Sequence, residues 1–329
     1  MKKKILPLVQ FLIGIGLLSL IFKNIGDKGD MLDAMRSAGK HWFLLSIGVL
    51  CFGFCICIVT LRWKILLDSQ GLKLPFRRLM ALYYVGQFFN AFLFGATGGD
   101  LVKAYFITKE APEKKTAAVG TVLIDRIIGL IALVLLTVTV MLCRLNFFLS
   151  NPIAKTAFIL TVALLFVVLG GVFVVFQKKF FEKWSLFRKL EDSKMIGGII
   201  SKLYDAFHLC ITDYAVLFKT LSLSLLNHVS VIVLSFCLGL ALEIDLGFIA
   251  YLSLFPIINA IGALPITPGG IGTREAAAVY FFGLVGVAET RALTLSLLVY
   301  ASMMFWSVVG GVVYFFYIYK SGKSMPRNA

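Results

Sequence analysis

Long apolar runs separated by short basic stretches set the pattern of this chain. Crossing the hydrocarbon core of a bilayer takes about 20 predominantly apolar residues. Six runs come close to or exceed that length, at about 5–22, 41–61, 118–142, 153–176, 220–242 and 292–318, and each predicts a membrane-spanning helix. Two further apolar regions, 82–98 and 246–287, are cut too often by glycine or proline to be ordinary spans. The first reads Asn90-AFLFGAT-Gly98-Gly99-Asp100-LV-Lys103, and the second Asn259-AIGALPITP-Gly269-Gly270-IGT-Arg274-Glu275. Both run from an Asn-Ala through an apolar stretch to a Gly-Gly pair, with a cation four positions after the second glycine. Interrupted segments in matching places of two halves are the sequence pattern of a transport site built from discontinuous helices.

Loop charge turns these runs into a topology, because cytoplasmic loops carry an excess of Lys and Arg. With the N-terminus in the cytoplasm, a re-entrant hairpin over about 82–110 keeps the basic stretch 99–117 inside. A second hairpin over about 246–287 then enters from outside. On this assignment 23 of the 32 basic residues, Arg62 among them as a loop charge, fall on cytoplasmic segments and eight on external ones, with Arg126 inside a span. Both termini are cytoplasmic, and the MKKK start followed by an apolar run is an uncleaved first span rather than a leader. In the loop 177–219, Ile196, Ile199, Ile200, Leu203, Phe207, Ile211, Tyr214 and Phe218 recur at helical spacing, which predicts an amphipathic helix lying at the interface or packed on the bundle. The fold class is therefore an all-α integral membrane protein, 1–329 as one multi-pass domain. It has about six full transmembrane helices and two opposed re-entrant hairpins in an inverted-repeat-like arrangement.

Composition agrees. With 60% hydrophobic and 15% charged residues, the chain carries more apolar surface than a soluble domain of its length hides. The net charge of +15 reads as positive-inside bias and attraction to anionic lipid. It does not read as nucleic-acid binding, since no basic patch with base-stacking aromatics stands outside the spans. Cys51, Cys55, Cys57, Cys143, Cys210 and Cys237 show no zinc spacing with His41, His208 or His228 and read as small hydrophobes. Neither a metal nor a cofactor nor a catalytic residue is expected.

Candidate binding residues cluster at the two breaks and in one span. Gly98 and Gly99, with Gly95 before them, let the backbone turn sharply. A helix restarting near Asp100 offers free N–H groups to an anion, with Asp100 as its N-cap and Lys103 one turn in, either on a phosphate or snorkelling to the interface. At the second break Pro265, Pro268, Gly269, Gly270 and Gly272 cannot continue a helix, Thr267 lies among them as a candidate binding residue, and Thr273 is placed to cap the next helix. Arg274 there stands at the positive end of a helix dipole, so it calls for an anionic partner: Glu275, Asp100 or a ligand phosphate. Asp125 and Arg126 lie about 12 Å into the span 118–142, where ionisable groups face protein or water. Arg126 pairs in this reading with a lipid phosphate or Asp100, and Asp125 with Arg274 or a proton; a structural pair is the other reading. Asn90 and Asn259 bond the freed backbone of their hairpins.

GQFFNAFLFGATGGDLVKAYFITKE, LIDRIIGL and PITPGGIGTREAA together resemble the lysylphosphatidylglycerol synthase transmembrane-region family, also called flippase-like domain proteins, from about residue 10 to 318. Fuller members join this region to a cytoplasmic synthase domain that transfers an amino acid to phosphatidylglycerol. The likeness includes no such domain, so aminoacyl transfer is not implied. It implies movement of a lipid between leaflets, and motif positions at Gly98, Gly99, Asp100, Lys103, Asp125, Arg126, Pro268, Gly269, Gly270, Gly272, Arg274 and Glu275. Lys103 stands where members often carry arginine, and Phe94-Gly95 where Pro-Gly is common. The expected function is flippase-like binding or translocation of an anionic phospholipid or lipid-linked carrier in the cell membrane, by a protein that is not an enzyme. The alternatives are an integral membrane lipid-modifying enzyme, or a non-catalytic partner of a separately encoded one. No Walker motif is present, so ATP is not the direct driver.

Overall fold

In a computed structural model the chain is described at residues 12–13, 15–21, 23, 28–92, 98–176, 208, 212–264 and 266–323. Among these, all regular structure is helical. Residues 12–13, 15–21 and 23 are helical, within or just past the first expected span, whose start lies outside the described residues. So do Gly95, Pro265 and most of the expected amphipathic helix over 195–218. The helices that follow are α1 (Lys28–Lys40), α2 (Trp42–Ser69), α3 (Phe76–Phe92), α4 (Gly98–Glu110), α5 (Lys115–Cys143), α6 (Leu145–Leu149), α7 (Pro152–Phe176), α8 (Tyr214–Ala241), α9 (Phe248–Ala263), a 3-10 turn Pro268–Gly270, α10 (Thr273–Gly283) and α11 (Glu289–Lys323).

Among the described residues, five helices are long and apolar enough to cross a membrane: Trp42–Ser69, Lys115–Cys143, Pro152–Gly171, Tyr214–Ala241 and Glu289–Tyr317. The protein is a multi-pass helical membrane protein. Its large exposed side chains are those a lipid-facing surface needs. Ile159, Leu160, Phe166 and Val167 on α7 and Phe305, Val308 and Val312 on α11 are all more than half exposed. Such a surface is costly in water and ordinary against acyl chains.

The chain folds as two compact units, each drawing on separate stretches: 1–57, 80–102 and 228–329 in one, 58–79 and 103–227 in the other. In the first unit α10 packs on α9 and α11, and α11 packs on α1. Its buried centre is aromatic, with Tyr251 against Phe236, Phe255 and Phe282 at ring separations of 5.3–6.0 Å. In the second unit α5 packs on α7, and the short α6 joins them. Trp63, Leu66 and Leu67 of α2 are fully buried there. That burial explains why α2 continues well past residue 61, where the apolar run predicted its end. Arg62 is consequently a buried helical residue and not a loop charge.

Both glycine-broken segments fold back on themselves. At the foot of the first, Arg78 Nη2 meets Glu110 Oε1 at 2.6 Å. At its tip, a Cβ on Gly99 would lie 1.9 Å from the carbonyl oxygen of Gly86, so α3 and α4 run antiparallel in backbone contact. In the second, Tyr251 near the start of α9 touches Phe282 near the end of α10, with ring centroids 5.4 Å apart. A Cβ on Gly270 would lie 2.4 Å from the carbonyl oxygen of Gly262. In each segment the backbone approaches closely where a glycine lacks a side chain.

Candidate functional site

The densest buried charge lies in the second unit, where α2, α4, α5 and α8 each supply a side chain. Arg62, Lys103 and Asp125 are 5%, 3% and 3% exposed. Arg62 Nε donates to Asp125 Oδ1 at 2.8 Å, and its Nη1 donates to Ser224 Oγ, also at 2.8 Å. Lys103 Nζ stands 3.6 Å from Asp125 Oδ2 and 4.0 Å from the centroid of the Trp63 ring. Trp63 Nε1–H is fixed by Thr121 Oγ1 at 3.0 Å. Ser224 and Thr121 hand their own protons back to the helix, to Thr220 O and Ala118 O, which leaves their oxygens free to accept. The α5 helix accommodates Arg62 through Gly129, where a Cβ would sit 3.1 Å from Nη1.

The energetics of this cluster are those of charge in a poor solvent. Ionisable groups in a membrane interior are costly and pair with one another, and removing one member of a buried pair costs about 3–5 kcal/mol because the survivor is left uncompensated. Here two cations share one carboxylate. A guanidinium offers a planar fork that suits a phosphate or a carboxylate, and an ammonium over an indole face gains from the ring quadrupole. The arrangement is therefore suited to hold an anion.

The expected residues of the first break divide between this cluster and the hairpin tip. At the tip, Asn90 Oδ1 accepts the Gly99 N–H at 2.9 Å, as expected of an asparagine beside freed backbone. Asp100 is not the N-cap: α4 begins at Gly98, so Asp100 is a half-buried acid in the first turn, where it complements the helix dipole. Residues 93–97, before Gly98, lie outside the described residues. Lys103, one turn further, is the residue that reaches the charged cluster.

The second break is built from left-handed glycines. Gly269, Gly270 and Gly272 have φ of 63°, 73° and 86°, a region that other residues enter only with strain. Gly272, not Thr273, is the residue before α10. The freed N–H of Gly272 is capped from inside the helix, by Glu275 Oε2 at 2.6 Å. Glu275 Oε1 accepts from Arg274 Nη2 at 2.8 Å, Arg274 Nε at 3.2 Å and Ser296 Oγ at 3.1 Å. Thr267 and Thr273 meet through their hydroxyls at 3.3 Å, and the Arg274 guanidinium lies 5.2 Å from the Tyr300 ring centroid. This set is electrically balanced, with one guanidinium on one carboxylate that four donors saturate.

One expected pairing is replaced: Asp125 pairs with Arg62 and Lys103 rather than with Arg274. Arg274 pairs with its neighbour Glu275, one of its three candidate partners. Arg126, next to Asp125 but about 100° round the helix, is exposed among the exposed Leu123, Ile127 and Leu130. Asn259 is half-buried and makes no bond like that of Asn90 among the described residues. Arg62, Trp63, Thr121, Ser224 and Ser296 were not foreseen. For Arg62 the signal was present, since Trp63, Leu66 and Leu67 continue the helical apolar stripe past it.

Comparison with known proteins places this geometry. Residues 8–311 match the family described as the lysylphosphatidylglycerol synthase TM region. A UPF0104 membrane protein of Methanothermobacter thermautotrophicus is 23% identical over 295 residues, covering 86% of each chain. Another, of Pyrococcus horikoshii, is 25% identical over 332 residues, covering 95% of this chain and 96% of its own. A third, of Methanocaldococcus jannaschii, is 24% identical over 234 residues, covering 70% of this chain and 94% of its own. No solved structure matches the chain.

Proposed function

We propose, from the premise that the chain belongs to the lysylphosphatidylglycerol synthase transmembrane-region family, that it binds an anionic lipid inside the membrane and moves its headgroup between leaflets. The observation that carries this reading is the buried set Arg62–Lys103–Asp125, in which two cations share one carboxylate. A phosphate-bearing headgroup supplies the charge such a set attracts, and its lipid tails stay in the bilayer while the headgroup crosses. On this reading the protein is a carrier and not an enzyme, its partners are the bilayer and the anionic lipid, and Arg126 meets lipid phosphate from the exposed flank of α5. The two hairpins enter the membrane from opposite sides, and both termini face the cytoplasm of the cell in whose membrane the protein lies.

The test is exchange in vesicles holding only this protein. Fluorescent phosphatidylglycerol and phosphatidylcholine are followed from the inner to the outer leaflet by quenching with a membrane-impermeant reductant. The expected outcome is fast exchange of the anionic lipid. No exchange of any anionic lipid by folded protein overturns the reading, in favour of a partner or an enzyme of lipid modification. Cysteine labelling tests the topology separately, since residues 99–117 must be accessible only from the side of the N-terminus.

A further inference from the structure

We propose that Asp125 is a displaceable counter-ion: it holds Arg62 and Lys103 when no headgroup is bound and gives them up to the phosphate of an incoming lipid. The inference rests on the reading of this cluster as the headgroup site.

Two buried ion pairs among the described residues differ in how completely they are closed. Around Glu275, both carboxylate oxygens are engaged, by the Arg274 fork, the Ser296 hydroxyl and the Gly272 N–H, at 2.6–3.2 Å. That carboxylate is built in. It caps a helix as well as neutralising an arginine, so removing it would disturb the backbone of the second hairpin tip. Asp125 neutralises its cations but caps no helix. It lies mid-helix in α5, bonds no backbone N–H, and accepts one hydrogen bond, from Arg62 Nε to Oδ1 at 2.8 Å. Its Oδ2 has the Lys103 ammonium at 3.6 Å, a charge contact longer than a hydrogen bond.

The cations are correspondingly divided. The Arg62 fork is not spent on the carboxylate, because Nε goes to Asp125 while Nη1 goes to Ser224. The Lys103 ammonium is shared between Asp125 and the face of Trp63. A phosphate presents more acceptor oxygens than a carboxylate and suits the guanidinium fork in two-point contact. It gains both cations together, where Asp125 holds one by a hydrogen bond and the other by charge alone. The released Asp125 remains beside the two cations, whose charges then balance one carboxylate and one phosphodiester. Gly129, one turn along α5 on the same face, leaves the guanidinium room to turn, since the nearest approach of a Cβ there would already be 3.1 Å from Nη1.

A built-in competitor scales the apparent affinity for its ligand down to the fraction of time the site stands open. It also returns a counter-charge to both cations after the lipid leaves. The exchange of one anion for another thus permits release as well as binding.

The test measures binding of dihexanoylphosphatidylglycerol, inorganic phosphate and dihexanoylphosphatidylcholine to the purified full chain, wild type against Asp125→Asn, by titration calorimetry. The expected result is that Asp125→Asn binds the anionic lipid at least about tenfold more tightly, since the occupancy term is gone, while vesicle exchange slows because release is slow. Tightening for inorganic phosphate as well assigns the recognition to phosphate itself, and tightening for the lipid alone assigns it to the whole headgroup. Unchanged or weaker binding by folded Asp125→Asn, with wild type binding normally, overturns the counter-ion and leaves the lipid site standing. No binding of either anionic probe to either protein removes both. If Asp125→Asn is too unstable to titrate, the anionic probe must raise its melting temperature more than it raises that of wild type; an equal or smaller rise overturns the proposal.

Discussion

Replacing Gly99 with alanine tests whether the first hairpin tip is closed by backbone contact. The added Cβ would lie 1.9 Å from the carbonyl oxygen of Gly86 and 2.6 Å from Asn90 Cγ. A carbon and a carbonyl oxygen approach no closer than about 3.3 Å, so α3 and α4 must part by about 1.4 Å at this point. No rotamer change relieves the overlap, because the nearest atom is backbone. Overpacking of this kind costs about 1–3 kcal/mol, and parting the helices also stretches the bond from Gly99 N–H to Asn90 Oδ1, which contributes about 1 kcal/mol. The sum, about 2–4 kcal/mol, lowers the melting temperature by on the order of 5 °C or more, read as thermal unfolding of the purified protein in detergent. The control is Gly170→Ala on α7, where nothing lies within 4 Å of the new Cβ, and which is expected to melt with wild type or slightly above it. If Gly99→Ala melts with wild type, the tip is not closed as described.

Three further substitutions follow from the same geometry. Among the described residues the fully buried Tyr251 hydroxyl has no hydrogen-bond partner, so Tyr251→Phe removes an unsatisfied group and should leave stability unchanged or raise it by about 1 kcal/mol; a clear drop in equilibrium unfolding would show a partner at work. The Ser37 hydroxyl on α1 donates to Glu243, in the turn after α8, at 2.6 Å and, with Arg291, His41 and Lys40 nearby, holds that carboxyl below its ordinary range. A lowered folded pKa stabilises above the unfolded value, about 4.3, and the gain is lost as pH falls through the folded value. The melting temperature of wild type should therefore fall more steeply than that of Ser37→Ala as pH drops from 5 toward 3, and parallel profiles would refute the link. Gly129→Ala places a Cβ 3.1 Å from Arg62 Nη1, which shifts the guanidinium by a few tenths of an ångström; lipid exchange should slow severalfold with little change in melting, and an unchanged rate would mean that this position of Arg62 is not needed.

The membrane-spanning helices were legible because the bilayer imposes one requirement, length with apolarity, that a single sequence displays directly. Their ends were less so. Residue 61 looked like a boundary since Arg62 and Lys64 follow it, yet Trp63, Leu66 and Leu67 pack into a core and carry α2 on to Ser69. The second break was legible as a break from its prolines and glycines, but its capping was not. Thr273 fits the usual N-cap preference, whereas the left-handed φ that Gly272 adopts without strain and the back-reaching Glu275 carboxylate do the work instead. Least legible was the partner of Asp125. It lies 63 residues from Arg62, and no periodicity links positions so far apart; only the packing of α2 and α4 against α5 brings them together. The Arg274–Glu275 pair shows the opposite case, adjacent in sequence and closed locally, so the nearest of the candidate partners was the right one.

The central claim is that the Arg62–Lys103–Asp125 set handles an anionic headgroup, and the most direct measurement is leaflet exchange of phosphatidylglycerol against phosphatidylcholine in vesicles bearing wild type, Arg62→Gln, Lys103→Gln or Arg274→Gln at matched, folded levels. The account predicts fast exchange selective for the anionic lipid in wild type. Selectivity and rate should both fall in Arg62→Gln and Lys103→Gln, whereas Arg274→Gln, which breaks a closed structural pair, should lose stability before selectivity. Exchange that ignores headgroup charge, or that survives both cluster substitutions in folded protein, would contradict it.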